Sequence, residues 1–217
     1  MAGTILYPVL KASLAPVVVA SAMAAVRFRH LSPPLRYLAV LVWFTLLIEI
    51  LTRVRAVQQQ SNLFVLPFDT LVEFGLLAWV YRQALWPSAV SRWVPAVVGV
   101  FSLVALLSYA EPAGLARFNT GQRFAESLLV LGLVLLYFYK VIRELTILHL
   151  EREPLFWISV GLLLYFSGNV FIFISSNYII QYSKALSLKM WDIHAWLYMV
   201  LYGLYAWALW ISPSNKK

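Results

Sequence analysis

Cysteine is absent from all 217 residues. That excludes disulfides, thiolate metal sites and a cysteine nucleophile, and leaves the compartment open. Charge is scarce as well: only 12% of residues are charged, about half the roughly 25% of a soluble domain. Acids are the rarest part of it, nine against 17 lysines and arginines. No repeat of domain-like period, no low-complexity tract and no linker long enough to separate domains is found. Runs of alternating apolar and polar residues, which a membrane β-barrel needs over about 10 residues per strand, are missing too.

What is present is apolar. Hydrophobic residues make up 62% of the chain, more than a water-soluble fold of this size can bury. They collect in runs near the roughly 20 residues that cross a bilayer as a helix. Seven such spans are read at about 5–25, 35–53, 62–84, 92–110, 122–143, 154–180 and 190–212. Short polar segments separate them. Pro34 and Pro154 stand at span starts, where a missing N–H costs least. The expected fold is an all-α integral membrane protein, a single seven-helix transmembrane bundle over 1–217. The run ASAMAA at 20–25 looks like a signal-peptide cleavage site. Against that, the basic leader is missing, Lys11 interrupts the apolar run, and Arg27 and Arg29 follow it. A retained first helix is expected.

Basic residues in short loops mark the cytoplasmic side. Arg27, Arg29, Arg36, Arg82, Arg92, Lys140, Arg143, Arg152, Lys216 and Lys217 share one side. Lys11, Arg53, Arg55, Arg117, Arg123, Lys184 and Lys189 share the other. The bias places the N-terminus outside and the C-terminus inside. The net charge of +8 is then a topology signal and an attraction to anionic lipid headgroups. No nucleic-acid partner is expected.

With odd-numbered helices running inward, the polar residues fall on one side of the midplane. Lys11, Glu49, Asp69, Glu73, Glu126, Asn169, Ser176, Asn177, Asp192 and His194 all lie in the outer half. The inner halves, such as LVLGLVLLYFY and YMVLYGLYAWALWI, are almost uncharged. Charged side chains facing lipid are costly, so they turn to the bundle interior or to water. The expected arrangement is a hydrated polar pocket open to the outside, above an apolar inner plug. These ten residues are the expected ligand-binding set.

Plainer roles compete with that one. Gly161, Gly168 and Ser175, seven apart, suit a close-packed helix seam. Asn169 suits an interhelical hydrogen-bond clamp, and Ser176 and Asn177 suit helix caps. Glu126, Asp192 and His194 stand near enough to helix ends to be solvated. Asp69 and Glu73 share a helix face and, with Glu49, could form an ion-pair network around Lys11 or Arg53. Trp43, Trp79, Trp93, Trp191 and Trp196 suit interfacial anchors.

Known membrane chemistries fail on their required residues. A retinal protein needs a lysine within the seventh span, and Lys189 is only at its edge. His30 and His149 fall inside and His194 outside, so they share neither a zinc ion nor a haem. No G-x-S-x-G motif supplies a serine nucleophile. A cation held by Glu49, Asp69 and Glu73 stays open. No cofactor and no resident metal are expected, and no catalytic residue is identified.

The stretches PLFWISVGLLLYFSGNVFIFISSN, NLFVLPFDTLVEF and HLEREP resemble those of a group of small bacterial polytopic membrane proteins. The likeness is strongest over PLFW and YFSGN. It implies a multi-pass protein of a bacterial inner (plasma) membrane and transfers no catalytic residue.

One-sided polarity favours a receptor- or sensor-like module that binds a small molecule or lipid. Its partners would be membrane lipids, that ligand, and a cytoplasmic signalling protein. The alternatives are a membrane-embedded enzyme using the carboxylates as acid and base, and a transporter of small solutes or ions. A transporter needs polar groups along its whole path, which the apolar inner half does not offer.

Overall fold

In a computed structural model of the chain, residues 12–60, 65–108, 120–144, 149–182 and 184–213 are described. Side chains are described there except at 66, 108, 120 and 173–188. These residues form seven α-helices and no strand: α1 Leu14–Arg27, α2 Pro33–Val57, α3 Val65–Ala84, α4 Ala89–Ser108, α5 Thr120–Glu144, α6 Pro154–Tyr182 and α7 Lys184–Ile211. Single 3-10 turns, Phe28–His30 and Leu150–Arg152, precede α2 and α6. Each helix overlies one of the apolar runs. Proline starts α2 and α6 at a position that has no intrahelical N–H bond to lose.

Among the described residues, four helical segments are long and apolar enough to cross a membrane: Pro33–Val57, Ala89–Leu107, Gly121–Glu144 and Pro154–Ile172. α3 breaks its apolar run with Asp69, Glu73 and Arg82, and the described part of α1 has 14 residues.

Neighbouring helices close a ring in the order α1, α2, α3, α5, α6, α7 and back to α1, and α4 packs outside it against α3. The described core is mostly apolar, yet large apolar side chains also cover the outside, unlike a water-soluble protein. Glu126, Asn169 and Ser159 are buried, while Leu47, Leu103, Leu107, Leu135, Ile142 and Trp210 are exposed. Water would penalise that distribution, and lipid does not.

The most extensive contact joins α6 to α7. It follows the predicted small-residue stripe. A Cβ on Gly161 would lie 3.1 Å from Leu201 Cδ1 and 3.3 Å from Leu204 Cδ1, and one on Gly168 would overlap Leu197 Cδ1. α7 thus presents a row of leucines to the glycines of α6. With little hydrophobic drive between helices in lipid, close backbone approach supplies the packing energy. Ser175, the third member of the stripe, lies outside the described side chains.

Candidate functional site

α3 and α5 build the polar centre. Asp69 and Glu73, four residues apart on α3, turn the same face toward α5. Arg123 stands one turn into α5 and spreads its guanidinium over that face. Nη2 donates to Asp69 Oδ2 at 2.5 Å, and Nη1 donates to Glu73 Oε2 at 3.1 Å and to Glu126 Oε2 at 3.2 Å. The planar fork of arginine suits such multiple acceptance, which a lysine could not reproduce. Asp69, Glu73 and Arg123 side chains are 14–18% exposed. Glu126 is fully buried, and its second oxygen, Oε1, has no hydrogen-bond partner among the described residues.

Ionised throughout, three carboxylates around one guanidinium leave two negative charges over (3 − 1). A simple structural clamp needs one acid per base. The surplus has to be removed, by a proton on the acids or by a bound cation, because unpaired charge is expensive in a low-dielectric interior.

A second polar pair adjoins the cluster. His194 Nδ1 on α7 meets Asn169 Oδ1 on α6 at 2.8 Å, which is the interhelical clamp expected of Asn169. Tyr165 packs on His194 with ring centroids 5.6 Å apart, and lies within range of the charges of Glu73, Arg123 and Glu126. Below it runs a column of phenols. Tyr165, Tyr198, Tyr202 and Tyr205 follow one another at centroid spacings of 6.2, 4.6 and 5.2 Å. Tyr202 donates to Thr45 Oγ1, and Tyr81 shares a hydrogen bond with Ser159, each at 2.8 Å. The expected apolar plug is therefore corrected: the stretch expected to form it is threaded with the hydroxyls of Tyr198, Tyr202 and Tyr205. Sequence reading overlooked this because tyrosine reads as an apolar residue in a long hydrophobic run, and its O–H finds partners only in three dimensions.

The expected ion-pair partner holds for Glu49 and is corrected for Asp69 and Glu73. Glu49 takes Arg53, four residues on along its own helix, at 3.1 Å, and Arg53 also donates to Ser13 Oγ at 3.2 Å. Asp69 and Glu73 take Arg123, which the sequence groups with the outer loop charges. α3 does lie beside α2, as its short connection implied, but its acidic face points at α5. The one available signal was the i,i+3 spacing of Arg123 and Glu126, a stabilising pair on any helix. Glu126, read as near enough to a helix end to be solvated, is the most buried acid of the cluster. Asp192 is half-buried on α7. Lys11 lies outside the described residues, and Ser176 and Asn177 lie in α6 beyond its described side chains. Trp43, read as a belt anchor, donates its indole N–H to the Ser21 carbonyl of α1 at 3.1 Å.

No group of three or more histidines and acids among the described residues is placed to hold a metal. The guanidinium already occupies the centre that the carboxylates share. His149 pairs with Glu151 at 3.2 Å, in the segment before α6.

Cavities among the described residues lie elsewhere. One, of about 230 Å³, is a wholly apolar cleft floored by Phe74 and Ala78 of α3, with walls from Val94 and Val97 of α4 and Leu129 and Gly132 of α5. Another, of about 240 Å³, lies where the starts of α2 and α6 meet the end of α7, beside Ser32, Leu155, Ser212 and Glu153. Burial pushes the Glu153 carboxyl up, with the Leu155 backbone N–H acting against it.

Compared with known protein families, with characterised proteins and with solved structures, the chain matches none.

Proposed function

We propose that this chain is a seven-span protein of a bacterial inner membrane, N-terminus outside, working as a receptor- or sensor-like module. Its outer-half cluster of Asp69, Glu73, Arg123 and Glu126 binds a small cationic ligand. The carrying observation is the buried Glu126 oxygen that no described group satisfies, on an acid gathered with two others around one guanidinium. The Asn169–His194 pair and Tyr165 flank it and offer further hydrogen bonds. The tyrosine column supplies a packed connection from that site into the inner half, where a cytoplasmic partner would read the state of the bundle.

The test uses purified protein in an uncharged detergent. A ligand that binds only the folded state raises the melting temperature by mass action, about 2.7 kcal/mol at 100-fold its Kd. Butylammonium chloride should raise it beyond an equal concentration of sodium chloride. Glu126→Gln removes the carboxyl that the cation would meet and should fold like the parent, yet lose the butylammonium shift. A variant that melts lower while the shift persists would make Glu126 a structural residue and end this reading.

Orientation has its own check. A reporter active only in the cytoplasm should work when fused after Lys217 and fail when inserted near Gly114, both outside the described residues. Activity at Gly114 reverses the topology.

A further inference from the structure

The cavity of about 240 Å³ stands at the end of the bundle opposite the acidic cluster. Its walls include Ser32 and Leu35 at the α2 start, Glu153 and Leu155 at the α6 start, and Ser212 and Pro213 just after α7. Glu153 is half-buried there. The Leu155 backbone N–H supports its ionised form, and no cation among the described residues pairs with it. Two arginines of this end are engaged with carbonyls: Arg27 donates to Ser212 O, and Arg36 to Leu31 O at 3.1 Å. The last carbonyls of α7 lack intrahelical partners and carry a partial negative charge. The cavity therefore offers a carboxylate and a helix C-terminus, and both favour a positive group.

The chain leaves this cavity at Pro213 and continues as Ser214, Asn215, Lys216 and Lys217, outside the described residues. Ser212, Pro213, Ser214 and Asn215 have the residue pattern of a type I turn. Serine stands first, and proline second, where its fixed φ is already right. Such a turn brings its first and fourth Cα atoms within about 7 Å. Lys216 is one step of about 3.8 Å further on, and its ammonium rides on a flexible four-carbon stem. A cation is thus within reach of a cavity whose carboxylate lacks one. We infer that the Glu153 cavity is an ammonium-binding site, and that its occupant is the chain's own segment 214–217, turned back so that Lys216 or Lys217 pairs with Glu153. Charge complementarity and the short reach select this occupant. The segment latches the end of α7 to the starts of α2 and α6 and so ties three helices of the ring together. This inference is independent of the cationic-ligand reading and of which end faces the cytoplasm.

The experiment places the full chain in phosphatidylcholine nanodiscs. The chain has no cysteine, so Ser32→Cys with Asn215→Cys creates a single pair able to form a disulfide across the cavity. Under mild oxidation, the rate of disulfide formation reads how often the segment lies against the cavity wall. Glu153→Gln should slow it about fivefold, the upper end for a partly exposed ion pair. Lys216→Gln with Lys217→Gln should slow it as much, and the two sets combined should slow it no further, because both remove one contact. The lysine variant leaves the cavity wall intact, so it tests the contact even where Glu153→Gln disturbs the α6 start. About 1 M sodium chloride should slow the cysteine pair alone to the Glu153→Gln rate, since salt screens a partly exposed pair. A rate that ignores the lysines overturns the inference. So does slowing that adds across the two sets, which would mean that Lys216 and Lys217 answer some other group.

Discussion

Replacing Arg123 with leucine should cost about 3–5 kcal/mol, the usual loss when one partner of a buried ion pair is removed. Three acids, two of them on a different helix, lose the cation they share. Folded proteins hold about 5–15 kcal/mol in all, so the variant should accumulate poorly in the membrane and aggregate on extraction. Arg123→Lys should fall between leucine and the parent, because an ammonium keeps the charge and loses the fork that meets three carboxylates. The decisive comparison adds Asp69→Asn, Glu73→Gln and Glu126→Gln to Arg123→Leu. With the acids gone there is nothing left to neutralise, and most of the stability should return. Size-exclusion profiles and melting temperatures in detergent read the outcome. A single Arg123→Leu variant that melts like the parent would show that water, not the guanidinium, carries these carboxylates.

Gly168→Leu should be the next most damaging change, at about 1–3 kcal/mol for an overpacked contact. A Cβ at 168 already overlaps Leu197 Cδ1, so the longer side chain has to push α7 away from α6 along their most extensive contact. Gly168→Ala should be milder, because a leucine methyl can turn aside. Leu197→Ala alone should also cost stability by opening a void. Combined, Gly168→Leu and Leu197→Ala exchange large for small across one contact, and the double variant should melt above either single one. The coupling between the two changes measures the contact itself. Additive losses would mean that the two residues do not meet.

Seven helices were legible in the chain because bilayer thickness dictates the length of an apolar run and unpaired backbone is not tolerated in lipid. Neither constraint depends on knowing the neighbours. The Asn169 clamp and the Gly161–Gly168 seam were legible for a related reason. A lone amide or a seven-residue glycine spacing inside an oily helix has few other uses. The gathering of Asp69, Glu73 and Glu126 was readable only in part, since the expected set also included Glu49, which pairs with Arg53 on its own helix.

Arg123 was not legible as the hub. Its partners on α3 lie 50 and 54 residues away, and the choice between Arg53 and Arg123 depends on how α3 is rotated about its own axis. Asp69 and Glu73 share a face in any helix, but only ring closure turns that face toward α5 and leaves Glu49 to the arginine on its own helix. The same closure expels α4 and opens the cleft beside the cluster. By itself the sequence determined the helices, their apolar surfaces and the burial of scarce charge, because lipid acts on each helix separately. Which charges meet and which tyrosines stack were decided by tertiary structure, because each depends on helix rotation and neighbour choice, and these are set by packing between segments far apart in the chain.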